Sequence, residues 1–238
     1  MPPPVAPVPP HYQGLWRRTG IWRRDGSADL STRVWWCQSP RFHIDLRIPA
    51  QRPPVSGAAA LARLAPRQLA LFAAQTGFAG LTLVDRARCE WRPEIAFPAV
   101  SAEIDAGLMR FDTADNLHES GIDGGYEEDW LRLAGGPMRG LRLESGDGAL
   151  AYLLLGEAWA AWAYGRPDNS FPATPAGSEF SILRRQAGDA WQIVASNCPW
   201  LEGAQLFLNG AQLSLCAPGD SVTLATPVSR QWRVSALA

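Results

Sequence analysis

The residues best able to do chemistry sit in "RFHIDLRIP", residues 41–49. Arg41, His43, Asp45 and Arg47 alternate with Phe42, Ile44, Leu46 and Ile48. A period of two makes this a β-strand with one apolar and one charged face. In a reactive reading, Asp45 orients His43, which acts as general base, while the arginines grip an anion. In a plainer reading the row faces water, with cross-strand ion pairs worth about 0.2–1 kcal/mol each. Residues two apart on a strand are about 6.6 Å from each other, so the spacing alone does not make a His–Asp hydrogen bond. A solvated outer face is the expectation, and an inward row is the alternative.

Aromatic residues come next, with 11 tryptophans in 238 residues. Adjacent Trp35 and Trp36 must point to opposite faces of one strand, and so must Trp159 and Trp162. Such rings either pack at barrel ends, which is the expectation, or line a cavity and stack a flat ligand. For the cavity case the candidate ligand-binding residues are Trp36, His43, Asp45, Arg47, Trp159 and Trp162. The ligand would be small and apolar or aromatic.

Other candidates are weaker. Glu127, Glu128 and Asp129 in "YEEDW" could work as paired carboxylates, but consecutive residues diverge and a charged strand edge deters aggregation. His11 and His118 lack partners at metal-ligand spacing. Ser56 and Ser145 lack the glycine of a nucleophile elbow, and no glycine-rich dinucleotide fingerprint is present. No catalytic residue, metal or cofactor is assigned. The enzymatic alternative is a small-molecule isomerase or cyclase using His43. The non-catalytic alternative is an interaction or scaffold module with filled barrels.

Composition narrows the classes further. The net charge of −1 argues against nucleic-acid or membrane-surface partners. All 22 basic residues are arginine, which excludes lysine Schiff-base and P-loop chemistry and fits a GC-rich, bacterial genome. Cys37, Cys89, Cys198 and Cys216 form no Cys-x-x-Cys pair, so buried free thiols in a reducing cytoplasm are expected. The opening "MPPPVAPVPPHY" reads as a disordered proline-rich tail over residues 1–12, not a signal peptide. A homodimer is compatible with all of this.

The elements that must position these groups are mostly strands. Runs such as "TRVWWCQS", "LTLVD", "LMRFD" and "AWQIVAS" are separated by Asp-Gly, Gly-Asp and Asn-Gly turns. "LFLNGAQLSL" reads as a hairpin turning at Asn209-Gly210. One helical insert is expected at about 57–77, interrupted or restarted at Pro66 and ending at Gly77. A weak repeat pairs Trp16 with Trp130 and Trp91 with Trp191. The predicted fold is all-β with two tandem antiparallel β-barrel lobes, 13–122 and 123–238, joined near Glu119–Gly125.

"YEEDWLRL", "ALAYLLLGEAWAAWAYGRP", "FSILRRQAGDAWQIVAS" and "PGDSVTLATPVSRQWRVSA" together resemble, in order, the C-terminal half of a fungal lipocalin-like (calycin-like) family. That family is named for its interaction with a yeast casein-kinase homologue. "VWWCQSPRFHIDLRIP" resembles its aromatic strand pair. The resemblance implies two tandem lipocalin-like lobes. It supplies no activity, substrate or site residue, and the kinase interaction is not carried over to this chain.

Overall fold

The computed structural model describes residues 6–99, 103–167, 177–224 and 230–238. The first lobe holds β1 (Gly14–Arg23), β2 (Ala28–Asp29), β3 (Arg33–Gln38), β4 (Phe42–Ile48), β5 (Thr76–Asp85), β6 (Arg88–Phe97), β7 (Asp105–Phe111), β8 (Asn116–Gly121) and β9 (Tyr126–Ala134). Each of β3 to β9 pairs antiparallel with the next, and β1 pairs with both β3 and β9. That last pairing closes an eight-stranded barrel, with β2 left as a short addition on β1. Closure leaves this wall without a free edge along which other chains could add.

The second lobe holds β10 (Arg139–Glu144), β11 (Leu150–Leu155), β12 (Trp159–Gly165), β13 (Glu179–Arg185), β14 (Ala190–Ser196), β15 (Gln205–Phe207), β16 (Ser221–Leu224) and β17 (Arg230–Leu237). Its order is β15-β14-β13-β12-β11-β10-β17-β16, and among the described residues nothing pairs β15 with β16. The lobe is a curled half-barrel, so the two tandem barrel lobes that were expected are one closed and one open. The join also moves. β9 belongs to the first barrel, so the chain crosses at residues 135–138 and not near Glu119–Gly125. Trp130 therefore sits beside β1 in the first barrel, opposite Arg18, and does not open a second repeat.

Which face of β4 is covered decides the orientation of the charged row. Phe42, Ile44, Leu46 and Ile48 are at most 1% exposed and share one core with Tyr152, Phe180 and Ile182 of the second lobe. Burying four such side chains contributes roughly 6–12 kcal/mol. The apolar face of β4 thus lies outside its own barrel, against the neighbouring lobe. His43 and Asp45, alternate in the pleat, must turn inward, and they are 0% and 2% exposed. The expectation of a solvated row was wrong because the sequence pattern shows two faces but not which one the second lobe covers. The lobes approach closely: a Cβ at Gly77 would lie 2.7 Å from the Phe180 ring. Gly77 serves that contact inside β5, and it does not end the helix.

The insert comprises a 3₁₀ turn at Ala58–Arg63 and α1 (Pro66–Ala73). Pro66 occupies the first helical position, where its missing N–H costs nothing. The Gln68 side chain accepts the Ala65 N–H at 3.0 Å. Asn209-Gly210 makes no hairpin. Asn209 caps α2 (Gly210–Leu215), its side-chain oxygen accepting the Gln212 N–H at 2.9 Å. The tail is ordered where it is described. Val8 and Tyr12 are 1% and 2% exposed, the Val8 N–H donates to Pro40 O, and Arg132 donates to His11 O at 2.6 Å. Tyr12 stops one end of the barrel. The remainder of the expected free tail, residues 1–5, lies outside the described residues.

Candidate functional site

Toward the Tyr12 end the barrel interior is aromatic. Trp36 on β3 is its hub, stacked on Trp16 at 6.2 Å between ring centroids and met edge-on by Trp91 at 5.6 Å and Trp130 at 6.0 Å. These come from β1, β3, β6 and β9, so four strands converge on one cluster. Strand alternation turns the rings inward in place of their neighbours Arg17, Trp35, Glu90 and Leu131.

Toward the other end the interior becomes charged. Arg18 donates to Glu128 at 2.6 Å, both side chains being about 5% exposed, and lies 3.8 Å from Asp29. Arg47 donates through Nε to Asp45 at 2.8 Å. The Glu119 carboxyl, 3% exposed, accepts Tyr126 O–H at 2.7 Å and Trp130 Nε1–H at 3.1 Å. Two glycines clear its place. A Cβ at Gly107 would fall 2.7 Å from Glu119 Cγ, and one at Gly121 would fall 2.7 Å from the Tyr126 ring. Four carboxyls, of Asp45, Asp105, Glu119 and Glu128, therefore share an interior with the guanidiniums of Arg18 and Arg47.

Burial sets the protonation of this set. It pushes the Glu119 carboxyl up to about 8, helped by the nearby Glu128 and Asp105 charges and opposed by the Tyr126 hydrogen bond and Arg47. Burial likewise raises Asp45, Asp105 and Glu128, against the pull of Arg47 on each. Arg47 stays firmly charged: burial acts against its cation, but Asp45 and Glu128 outweigh it. Near neutral pH Glu119 is mostly protonated, which lowers the like-charge repulsion in the cluster.

His43 does not join Asp45. A chain of hydrogen bonds fixes its state. Gln38 donates through Nε2 to Ser39 O and Phe42 O, so its Oε1 accepts from Trp36 Nε1 at 3.1 Å and from Thr82 Oγ1 at 2.9 Å. Thr82, having given its proton to Gln38, accepts from His43 Nδ1 at 3.0 Å. That leaves Nε2 as the bare ring nitrogen, buried and without a hydrogen-bond partner among the described residues. Burial pushes the imidazole pKa down to about 3. The ring is neutral, and among the described residues its hydrogen bond goes to Thr82 while Asp45 bonds Arg47, so the alternative reading of an Asp45–His43 acid–base pair is not assembled.

Trp36, Asp45 and Arg47 instead line a small hollow with Phe78, Trp91 and Trp130, closed by Asp105 and Glu119. Its volume is about 10 Å³, room for about one water. Asp105 also lines a depression of about 510 Å³ at the rim, with Ile104, Ile122 and Tyr126. One carboxylate thus stands between the interior and the outer surface. Trp36, Trp91 and Trp130 pack in the core toward one barrel end, and they also border this small hollow.

Trp159 and Trp162 lie elsewhere. Trp162 is buried in the core of the second lobe, 5.8 Å from Trp232, and Trp159 packs half-buried under Arg184 on the opposite face of β12. Arg18, Phe78, Trp91, Asp105, Glu119 and Trp130 were not among the sequence candidates, and Glu128 was weighed only within the acidic run and set aside as a charged strand edge. Glu119 had a visible signal, since Leu117 and Glu119 share one alternation in "NLHESG". On the outer face of that strand pair, His118 bonds Asp129 and Glu127, each at 2.7 Å. Glu128 alone of "YEEDW" turns inward as an acid. Among the described residues no group of His, Cys, Asp and Glu is arranged to hold a metal.

No protein-family model and no curated protein matches the chain. Among solved structures it is similar to the crystal structure of the uncharacterized protein YLR301w from Saccharomyces cerevisiae. The identity is 12% and the TM-score 0.59, over 94% of this chain and 98% of that one. At that identity the likeness is one of fold: the arrangement of a barrel followed by a second β lobe is shared.

Proposed function

We propose that the first barrel binds a small molecule with an aromatic or apolar body and that the second lobe braces it. The observation that carries this reading is the convergence of three tryptophans and three carboxyls, of Asp45, Asp105 and Glu119, on a hollow that meets a rim depression through Asp105. Filling the same space with apolar side chains would avoid the cost of burying charges. A sequence that instead keeps carboxyls in excess over guanidiniums breaks the usual rule for a core, as functional sites do. Among the described residues the second lobe offers no such set: its concave face is packed with leucines, alanines and Trp162. The four cysteines are buried and none forms a disulfide among the described residues, which fits a reducing compartment such as the cytoplasm. Among the described residues no helix is long and apolar enough to cross a membrane. The kinship with the fungal lipocalin-like family rests on the sequence resemblance; the yeast structure is similar in fold, and no activity comes with either.

The one-water size of the hollow favours a second reading, a non-catalytic interaction module with filled barrels. Tryptophan fluorescence separates the two. Trp36, Trp91 and Trp130 face the hollow, so a bound aromatic compound quenches or shifts their emission saturably. Absence of any saturable change across a panel of small aromatic compounds, with no small molecule retained in native mass spectra, would establish the filled-barrel reading instead.

A further inference from the structure

The hollow already holds a cation. The Arg47 guanidinium lies 5.3 Å from the centre of the Phe78 ring, is bound to Asp45, and borders the same space as Trp36, Trp91 and Trp130. Its side chain is about a third exposed, so it extends from the interior toward the mouth. Aromatic faces attract cations and not anions, because the ring quadrupole is negative above and below the plane. The surrounding charge has the same preference. Arg18 is matched by Glu128 and lies near Asp29, and Arg47 is matched by Asp45. Asp105 and Glu119 line the hollow with no guanidinium bonded to either among the described residues.

We propose that the hollow is a site for a small organic monocation, an ammonium or guanidinium with an apolar body, and that Arg47 is its tethered competitor. This rests on the reading of the first barrel as a binding lobe. The head of the ligand takes the place of the Arg47 guanidinium between Phe78, Asp45, Asp105 and Glu119. Arg47, about a third of whose side chain is already exposed, swings out to solvent. The apolar body then lies in the rim depression against Ile104 and Ile122, which are 70% and 46% exposed without a ligand. An anionic ligand would meet the Asp105 carboxyl and a Glu119 whose oxygens already accept from Tyr126 and Trp130, with both nearby guanidiniums, of Arg18 and Arg47, already paired to acids.

The experiment titrates the full-length protein with three probes that share a phenyl body and differ in charge: phenethylammonium, 2-phenylethanol and 3-phenylpropionate. Tryptophan emission and calorimetry are read for wild type and for Arg47→Ala. We expect phenethylammonium to bind wild type at least tenfold more tightly than either of the others. Removing the competitor in Arg47→Ala should tighten it by a further tenfold or more. If the alcohol or the carboxylate binds wild type as tightly as the amine, the cation assignment is overturned and the binding reading stands. If no probe binds either protein, the binding reading fails with it. Should Arg47→Ala not fold, Arg47→Gln, which keeps a hydrogen bond to Asp45 without the charge, takes its place. The wild-type ranking decides the ligand class in any case.

Discussion

Replacing Glu119 by glutamine tests the electrostatics of the barrel directly. In the folded protein this carboxyl holds its proton up to about pH 8, against an ordinary value of 4.5. Between those pH values the unfolded chain releases the proton and the folded chain does not. The folded state therefore binds more protons, and stability falls as pH rises through this window. At about 1.4 kcal/mol per pH unit, the full gap corresponds to about 5 kcal/mol, complete once pH passes the folded value. Glutamine has nearly the same shape, can accept Trp130 Nε1–H through its oxygen and can donate to the Tyr126 oxygen. It has no proton to lose in this range. Glu119→Gln should therefore lie within about 1 kcal/mol of wild type near pH 4.5, where the neutral acid and the amide make equivalent contacts. It should become the more stable protein by about 3–5 kcal/mol at pH 8.5. Urea denaturation at half-unit pH intervals, followed by tryptophan emission, measures the difference. A difference that stays flat from pH 4.5 to 8.5 would refute the argument, because Glu119 would then be ionised in the folded protein throughout.

The remaining predictions concern single contacts. Arg18→Leu strands the Glu128 carboxylate in the barrel and should cost about 3–5 kcal/mol, whereas adding Glu128→Leu should recover much of the loss; chemical denaturation of the single and double variants measures both. Trp36→Ala removes the hub of the aromatic cluster and should cost about 3–5 kcal/mol, with a midpoint shift read in the same way. Asn209→Ala removes the cap of α2 and should cost about 1 kcal/mol, while Asn209→Asp should be nearly neutral in thermal melts. His118 is raised by its hydrogen bonds to Asp129 and Glu127 on the outer face. Its contribution is therefore greatest below the ordinary histidine value and lost as pH rises through the raised one. His118→Gln should abolish that part of the pH dependence.

Much of the fold could be read from local pattern, because the period-two runs and the glycine turns are local signals. The strands at residues 33–38 and 42–48 and the restart of the helix at Pro66 appear where the pattern places them. What could not be read depends on non-local contacts. Asn-Gly suits both a hairpin turn and a helix cap, and a helical turn that buries Leu213 decided between them. The last strand of the first barrel carries the acidic run taken as an edge, but closure against β1 leaves it no edge. Of the site, Trp36, Asp45 and Arg47 were named from sequence and do meet, although the row was expected to face water. Arg18 and Glu128 were hidden by doublets, Arg17-Arg18 and Glu127-Glu128, in which only the register tells which member turns inward. Trp91 and Trp130 were visible as tryptophans but not as neighbours.

Strand β4 is shared property. Its even-numbered side chains cement two bodies together and its odd-numbered ones furnish a chamber, so neither set can drift without the other. A slip of one residue would thrust Asp45 into the seam and Leu46 among the carboxyls. Severing the chain at Gly136 would likewise free no self-sufficient barrel, because Phe42, Ile44, Leu46 and Ile48 would all be stripped of their cover at once. Motion between the bodies and rearrangement within the chamber are accordingly geared through this seven-residue strand.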